Sequence, residues 1–477
     1  MGSKQRRLSI ILIILHILVV LFCLAIWNYI EAEPKLLFIM AYSIASIIFC
    51  VVTKNLILTS VIGFLLILPF NITLLLPIQE TNAFINGIYV NYLAPVVSIT
   101  DIAILMIFIS LIIELRKKVS LFITPVIILI LMIYGIVHFN IHSDITVLVQ
   151  TMRIILYAST ATIVLGEYEL VFKRIRKHLV FAISISVLIQ TLIGLFQFLR
   201  GNSIGIPFFG ESQVSAGLVG ASTAVLDGNL YLRAYGTFPH PNVLAGYYLL
   251  AILALLSLLK GHKDQNNKPL IYFALVTSLI GISLTLSQSA WLTLVIIMFL
   301  LLIPRSVKKE LAQKSKSTAH HNRANNILIW TNALIPKTRS IQERISLLLA
   351  SLDYLQECLL FGVGNGNFTR YFYEYAPLGA AGLTLMQPVH NIFILFVVEN
   401  GLLIGGGVVG WFIISVVKRI LRRQFDILAL AALVILLIVG NVDHYLLTLP
   451  QGMAMLYLLM IMIFKKIDTE SVKYRAF

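Results

Sequence analysis

The sequence alternates long, continuously apolar runs with short polar or basic segments. Many runs approach the roughly 20 residues that a helix needs to cross a bilayer. Unbroken apolar runs favour helices, because the strands of a membrane barrel alternate apolar and polar residues. The pattern predicts an all-α integral membrane protein, a polytopic bundle of about 12–14 transmembrane helices. The predicted spans are 8–30, 36–52, 55–78, 94–114, 120–138, 146–165, 178–199, 242–259, 270–287, 290–303, 390–417, 425–443 and 446–464.

Two further segments complete this pattern. The run 327–335 is too short to span, so we interpret it as a short helix or a broken membrane segment buried within the protein. In the polar segment that follows, Ile341, Ile345, Leu348, Leu352, Leu355 and Leu359 recur at helical spacing. This spacing predicts an amphipathic helix at the outer membrane interface, ending before Gly362.

The charge distribution indicates how the bundle lies in the membrane. Of all residues 59% are hydrophobic, the net charge is +15 and the mean hydropathy is +0.94. Most of the 36 Lys and Arg residues cluster between apolar spans, so the positive-inside rule puts both termini in the cytoplasm. The charge therefore indicates a multi-pass protein of the cytoplasmic (inner) membrane and no nucleic-acid partner. Three cysteines indicate neither a disulfide framework nor a metal site.

A few arginines depart from this rule. Arg153 lies within a span, where a charge needs a partner or a wet cavity; an ion pair with an acid such as Asp101 and a functional role are both open. Arg233, Arg339 and Arg344 lie in two predicted outer loops. Arginines that converge from different loops suit a phosphate or diphosphate. Solvated or headgroup-binding charge is the alternative.

Other polar residues stand at or near the predicted outer ends of spans. His390 and Asn391 open a span, so Asn391 is expected to cap a helix, and His390 is also a candidate proton acceptor. His240, between Pro239 and Pro241, is the same kind of candidate, with a rigid turn as the alternative, whereas Asp443 and His444 are best interpreted as an ordinary loop.

Two more features lie near these span ends. Glu399 lies more than two helical turns inside its span, where pairing with an arginine is the simplest explanation. Gly364 belongs to a glycine-rich turn, which would let a diphosphate reach backbone amides or would be a turn alone.

Three motifs in this order resemble the O-antigen ligase and polymerase family. They are RAYGTFPHPNVLA at 233–245, GVGNGNF at 362–368, and HN at 390–391 followed by ENG at 399–401. The resemblance divides the chain into N-terminal helices (1–179), a catalytic core (180–410) with outer loops 200–238 and 337–389, and C-terminal helices with a cytoplasmic tail (411–477). Two positions depart from the family pattern: a Ser-Gln-Ser sequence at 287–289 replaces the usual Ser-Arg, and Ile404 replaces a small residue or tyrosine.

The resemblance implies a metal-independent glycosyltransferase of GT-C type, without cofactors, that faces outward. Such an enzyme moves a saccharide from polyprenyl (undecaprenyl) diphosphate to the hydroxyl of a glycan, lipid or protein acceptor. The resemblance makes His390 the base and Arg233 and Arg344 the diphosphate ligands, with Arg153 and Arg339 as secondary ligands. His240, Asn242, Gly364, Asn391 and Glu399 would support them. A polymerase, a lipid-linked oligosaccharide flippase or transporter, and a non-enzymatic scaffold are the alternatives.

Overall fold

The computed structural model of the chain describes residues 34–76, 83–115, 144–261, 267–302, 339–357, 359–377, 386–422 and 424–465. Within these ranges the chain is mostly helical, as the apolar runs predict. The predicted runs 8–30, 120–138 and 327–335 lie outside the described residues.

The helices are numbered in chain order. They are α1 (Pro34–Thr53), α2 (Leu56–Ile67), α3 (Ile99–Leu115), α4 (Ile145–Gly166), α5 (Tyr168–Arg200), α6 (Pro241–Gly261), α7 (Lys268–Thr285), α8 (Gln288–Leu302), α9 (Arg339–Leu355), α10 (Phe368–Phe372), α11 (Ile392–Asn400), α12 (Gly407–Leu421), α13 (Ile427–Val442), α14 (Tyr445–Thr448) and α15 (Pro450–Phe464). A π-helical segment, Gly401–Gly406, joins α11 to α12.

Five of these helical segments are long and apolar enough to cross a membrane: α4, α5, α6, α7 and the combined segment Ile392–Leu421. Shorter apolar helices occur in α1, α2, α8, α13 and α15. The protein is therefore a mostly helical, multi-pass membrane protein. Its helices share one buried apolar cluster that extends from Phe38 to Ile463, with α5 packed on α2 and α7, and α15 packed on α4 and α13.

Within the described ranges, six short strands form three antiparallel pairs. The pairs are β1 (Thr73–Leu75) with β4 (Val96–Ser98), β2 (Phe84–Ile85) with β3 (Ile88–Tyr89), and β5 (Thr223–Leu226) with β6 (Asn229–Leu232). The strands lie at one end of the bundle. The helices α3, α4, α6, α8 and α11 begin at this end, and α5, α7 and α13 end there. Backbone hydrogen bonds tie these connections together, for example from Ile99 N to Ile72 O and from Ala234 N to Leu284 O. We call this part of the bundle the site end.

Several predicted spans have different bounds in the structure. The run 55–78 is helical only to Ile67, because Pro69 has no amide to continue a helix and the chain then enters β1. The run 446–464 is divided before Pro450, which starts α15. The run 178–199 is longer than predicted, since α5 begins at Tyr168 and includes the basic residues 173–177.

The amphipathic helix is confirmed as α9, although it ends at Leu355. The apolar residue that it buries completely is Leu347, which packs in one cluster with Val389 and Leu395, and Ser351 is fully buried one helical turn later. Ile345 and Leu352 of the predicted apolar stripe remain exposed. α9 packs on α11. Arg344, one helical turn before Leu348, acts electrostatically on His390 and therefore lies near the start of α11.

The helix that was predicted as one span, 390–417, is interrupted by the π-helical segment. Here the segment 359–364 runs along the helix backbone, with Val363 N donating to Val398 O and Leu402 N donating to Leu359 O. Gly401 has φ +68°, and an added Cβ would lie 2.1 Å from Leu360 O. Glycine is required at this crossing because any side chain would push the two backbones apart.

Candidate functional site

The segment from Arg233 to Asn242 is held at the site end by two glutamines of α5. Gln197 Oε1 accepts the amides of Tyr235 at 3.0 Å and Gly236 at 2.8 Å, and Gln190 Oε1 accepts the amide of Thr237 at 3.0 Å. Both glutamine side chains are fully buried. Since a buried polar group must be hydrogen-bonded, these contacts fix the path of the loop.

Arg233 follows strand β6 directly, and two neighbours orient its guanidinium. Nε donates to Thr285 O at 2.7 Å, and one terminal nitrogen donates to Asn242 Oδ1 at 2.7 Å. Ser287 also donates to Asn242 Oδ1, at 3.2 Å. The second terminal nitrogen of Arg233 has no hydrogen-bond partner within the described part of the chain, so it is available to an anion.

His240 has both ring nitrogens engaged. Nδ1 accepts the amide of Asn242 at 3.2 Å, so Nε2 carries the proton and donates to Ser222 Oγ at 2.8 Å. Burial lowers the pKa of His240 to about 4. This histidine therefore braces the loop and has no free nitrogen with which to accept a proton.

Asp443 is the acidic centre of the site. Its Oδ1 accepts the amide of His444 at 2.8 Å, and its Oδ2 accepts Asn242 Nδ2 at 3.1 Å. Burial acts to raise the pKa of Asp443, but the surrounding imidazoles and the Asn242 amide together lower it. The sequence predicts an ordinary loop at Asp443 and His444, whereas the structure buries both residues. Their position beside His390 depends on tertiary packing, which no local signal indicates.

His390 stands immediately before α11. Asn391 caps that helix as predicted, accepting the amides of Phe393 and Ile394 at 3.0 Å each, and thereby fixes the residue before it. His390 Nδ1 is buried without a hydrogen-bond partner among the described residues. An unsatisfied buried nitrogen of this kind is expected where a ligand or water completes the site.

The histidine pair of the site is His390 with His444. Their ring centroids lie 5.0 Å apart with an interplanar angle of 69°. Burial lowers the pKa of His390 to about 3, and His444 is the next largest contribution. Burial also lowers the pKa of His444 to about 4. Both imidazoles are therefore neutral at pH 7.

Arg344 reaches the same place from α9. It acts electrostatically on His240, His390 and His444, and it lowers the pKa of each. Burial lowers the pKa of Arg233, and Arg344 adds to that effect. Arg344 makes no hydrogen bond or ion pair with another described residue. Two arginines from different loops thus repel each other across one site, an arrangement that an anion would relieve.

Arg153 occupies a different environment. Its guanidinium pairs with Asp101 through two hydrogen bonds of 2.7 and 2.8 Å and also donates to Gln150 and to Val96 O. Tyr157 donates to the same carboxylate at 2.7 Å. Of the two interpretations left open by the sequence, the structure contains the ion pair with Asp101. The side chain of Arg339, the first residue of α9, lies outside the described residues.

Glu399 is buried in α11, but its partners differ from the expected arginine. Within the described ranges it pairs with no cation, and its carboxylate lies against the backbone amides of Gly366 and Phe368. The amide of Gly364 donates to the backbone oxygen of Glu399 at 2.9 Å. The glycine-rich turn therefore uses its amides to support the interrupted helix, which leaves Gly364 N–H unavailable to a diphosphate.

An apolar groove is lined in part by residues that lie two and three positions along the chain from the histidine pair. Ile392 and Leu447, which neighbour Asn391 and Thr448 in the chain, line one part of the groove. The lining also includes Trp411 and Phe464. The groove has a volume of about 580 Å³. It lies between α4, the interrupted helix, α13 and α15.

The chemistry of the site end is thus an anion-attracting pair of arginines beside neutral imidazoles. Among the described residues, no group of three or more His, Cys, Asp or Glu side chains is arranged to hold a metal ion. Comparison with known proteins finds no matching family model, no matching curated protein and no matching solved structure.

Proposed function

We propose that this chain is a membrane glycan transferase of the O-antigen ligase and polymerase type. An acceptor hydroxyl attacks the anomeric carbon of a saccharide on a polyprenyl diphosphate carrier, and polyprenyl diphosphate leaves. The observation that carries the proposal is that Arg344 of α9 interacts electrostatically both with Arg233 and with a neutral His390 that has an unsatisfied nitrogen. The motif resemblance at 233–245 and 390–391 points to the same chemistry.

In this proposal each group has one role. Arg233 and Arg344 bind the diphosphate and stabilise the charge that develops on it as it leaves. His390 accepts the proton of the acceptor hydroxyl. Asn242 fixes the side chains of Arg233 and Asp443 relative to each other, since it hydrogen-bonds to both.

The groove beside the histidine pair supports a lipid-linked donor. It is apolar, and its size lies within the roughly 300–1,000 Å³ of ligand sites. A polyprenyl chain in the groove would place its diphosphate at the end nearest His390. Under this proposal the bundle is of GT-C type in the cytoplasmic membrane, and the site end faces away from the cytoplasm.

The test is transfer from a purified polyprenyl diphosphate-linked glycan to a panel of acceptors, using reconstituted protein without added metal. We expect His390→Ala to reduce the rate by about 10²–10⁴-fold, and Arg233→Ala and Arg344→Ala to reduce it strongly. Arg200→Ala is the matched control, because Arg200 is exposed at the end of α5. It should keep the wild-type rate.

The acceptor that yields product separates the two transferase types. Product on a second lipid-linked glycan indicates a polymerase, and product on another acceptor indicates a ligase. Movement of the donor between leaflets without any transfer product would indicate that the protein is a flippase and not a transferase. Unchanged envelope glycans in cells carrying the arginine and histidine variants would favour a scaffold.

A further inference from the structure

His444 stands beside His390 and has no role in the proposed reaction as described above. Its imidazole is buried and lies between two rings, packed against Tyr92 at 5.2 Å and against His390 at 5.0 Å between centroids. Its backbone amide is fixed on Asp443. Such a side chain either fills space or shares in the chemistry of His390.

A hydrogen bond to Thr448 orients the ring of His444. His444 Nδ1 lies 2.9 Å from Thr448 Oγ1, which also lies 3.3 Å from the backbone oxygen of His444. When this hydroxyl donates to the backbone oxygen, it accepts from Nδ1–H, and Nε2 is then the unprotonated nitrogen.

The two histidines differ in their connections. His390 Nδ1 has no partner among the described residues, and no hydrogen bond joins the two rings there. Proton transfer between the two rings therefore requires one bridging water, a link that general acid–base catalysis allows. The charged or titratable groups that face the pair are Asp443, Arg344, His240, Glu343 and Tyr92. Among them Asp443 is the anion that favours a proton on either ring.

We propose that His444 is a positioning residue for His390 and that the two imidazoles act as one pair that carries the proton released by the acceptor. This inference rests on the proposed transferase function. The acceptor O–H bond breaks as its oxygen bonds to the anomeric carbon, and the diphosphate leaves with the electrons of the broken C–O bond. The proton passes to His390, then through a bridging water to His444 Nε2, and finally to solvent.

The first arm of the test does not need activity. Full-length protein labelled with ¹⁵N-histidine is titrated by NMR, with His390→Gln and His444→Gln used to assign the two rings. We expect each ring to titrate at a higher pH when the other is replaced, because each disfavours a second proton on the pair. Two titrations that do not change when the partner is replaced would overturn the pair.

The second arm uses transfer kinetics and a matched pair of variants. Thr448→Val removes the hydroxyl and keeps the shape, whereas Thr448→Ser keeps the hydroxyl. We expect Thr448→Val and His444→Gln to lower kcat by roughly 10–100-fold with the donor KM unchanged, and Thr448→Ser to remain near wild type. Wild-type kcat in His444→Gln would refute the inference. If the wild-type protein transfers no glycan, the proposed function fails while the titration still decides whether the histidines are coupled.

Discussion

The ion pair between Arg153 and Asp101 gives the sharpest test of whether a membrane-embedded arginine is structural. Its exposed fraction is 2% for the arginine side chain and 15% for the aspartate. Arg153→Ala removes two charge-assisted hydrogen bonds and leaves Asp101 charged in a buried position. We expect this change to lower the free energy of unfolding by about 3–5 kcal/mol, the usual cost of breaking a buried pair.

Replacing both members should destabilise the protein by less than the sum of the costs of Arg153→Met alone and Asp101→Leu alone. Arg153→Met combined with Asp101→Leu leaves no unpaired charge, so a coupling free energy of about 0.5–3 kcal/mol is expected. Tyr157→Phe is the control, because it removes one hydrogen bond to Asp101 and keeps the ion pair. Unfolding of the purified variants in mixed micelles, by denaturing detergent and by heat, measures these differences.

The alternative role predicts a different outcome. If Arg153 binds donor diphosphate, Arg153→Ala would fold normally and raise the donor KM. Wild-type stability in Arg153→Ala, or costs that add without coupling in the double variant, would refute the structural interpretation. Salt should change the result little, since buried pairs are weakly screened.

Three further predictions concern the interrupted helix and the histidines. Gly401→Ala should destabilise the protein by about 1–3 kcal/mol. Gly410→Ala is the control: an added Cβ has open space there, so this variant should stay within about 0.5 kcal/mol of wild type. Equal melting temperatures of the two variants would contradict the close backbone crossing at Gly401. Glu399→Ala should cost about 1–3 kcal/mol because it removes the acceptor of two buried amides, and Glu399→Gln should cost less in the same thermal assay. The thermal stability should fall as pH drops from about 6.5 toward 4, because the pKa values of His240, His390 and His444 are lowered and the unfolded chain binds more protons in that window. Replacing the three histidines with glutamine should flatten this pH dependence. A thermal stability that rises on acidification would refute the prediction that neutral histidines are buried at the site.

Local patterns in the sequence were sufficient for several features of the fold. The apolar runs predict the helical membrane protein, the spacing around Leu348 predicts α9, and the position of Asn391 predicts its cap. Each of these depends on residues within one or two helical turns. The partner of Arg153 was also foreseeable, because a buried arginine requires an acid and Asp101 stands near the start of another span.

Features that depend on contacts between distant segments were not foreseeable. The strands β1 and β4 pair although their partner residues lie more than 20 positions apart in the chain. The glycine-rich turn forms its backbone hydrogen bonds with α11 only once both segments have folded. Leu347 rather than Leu348 is buried because α11 covers that face of α9. The partnership of His444 with His390 has the same origin: 54 positions separate the two residues, and helix packing alone brings their rings together.

Under the proposed function, the charges of the site link donor binding to proton acceptance. Arg344 contributes to lowering the pKa of His390, which without a ligand is about 3, too low for an effective base near neutral pH. A bound diphosphate would place negative charge beside this arginine and the histidine. An opposite charge within about 4–6 Å typically shifts a pKa by 1–3 units toward the charged form, so the donor should strengthen the base that its own reaction needs.

This coupling is measurable as a difference between two pH profiles. Because kcat reports the complex and kcat/KM reports the free enzyme, the acidic limb of kcat should lie about 1–3 pH units above that of kcat/KM. In Arg344→Gln the cation that lowers the pKa of free His390 is gone, so the acidic limb of kcat/KM should move to higher pH. Limbs that coincide in the wild-type protein would mean that the diphosphate binds too far from His390 to act on it, and the base would then have to be sought elsewhere at the site end.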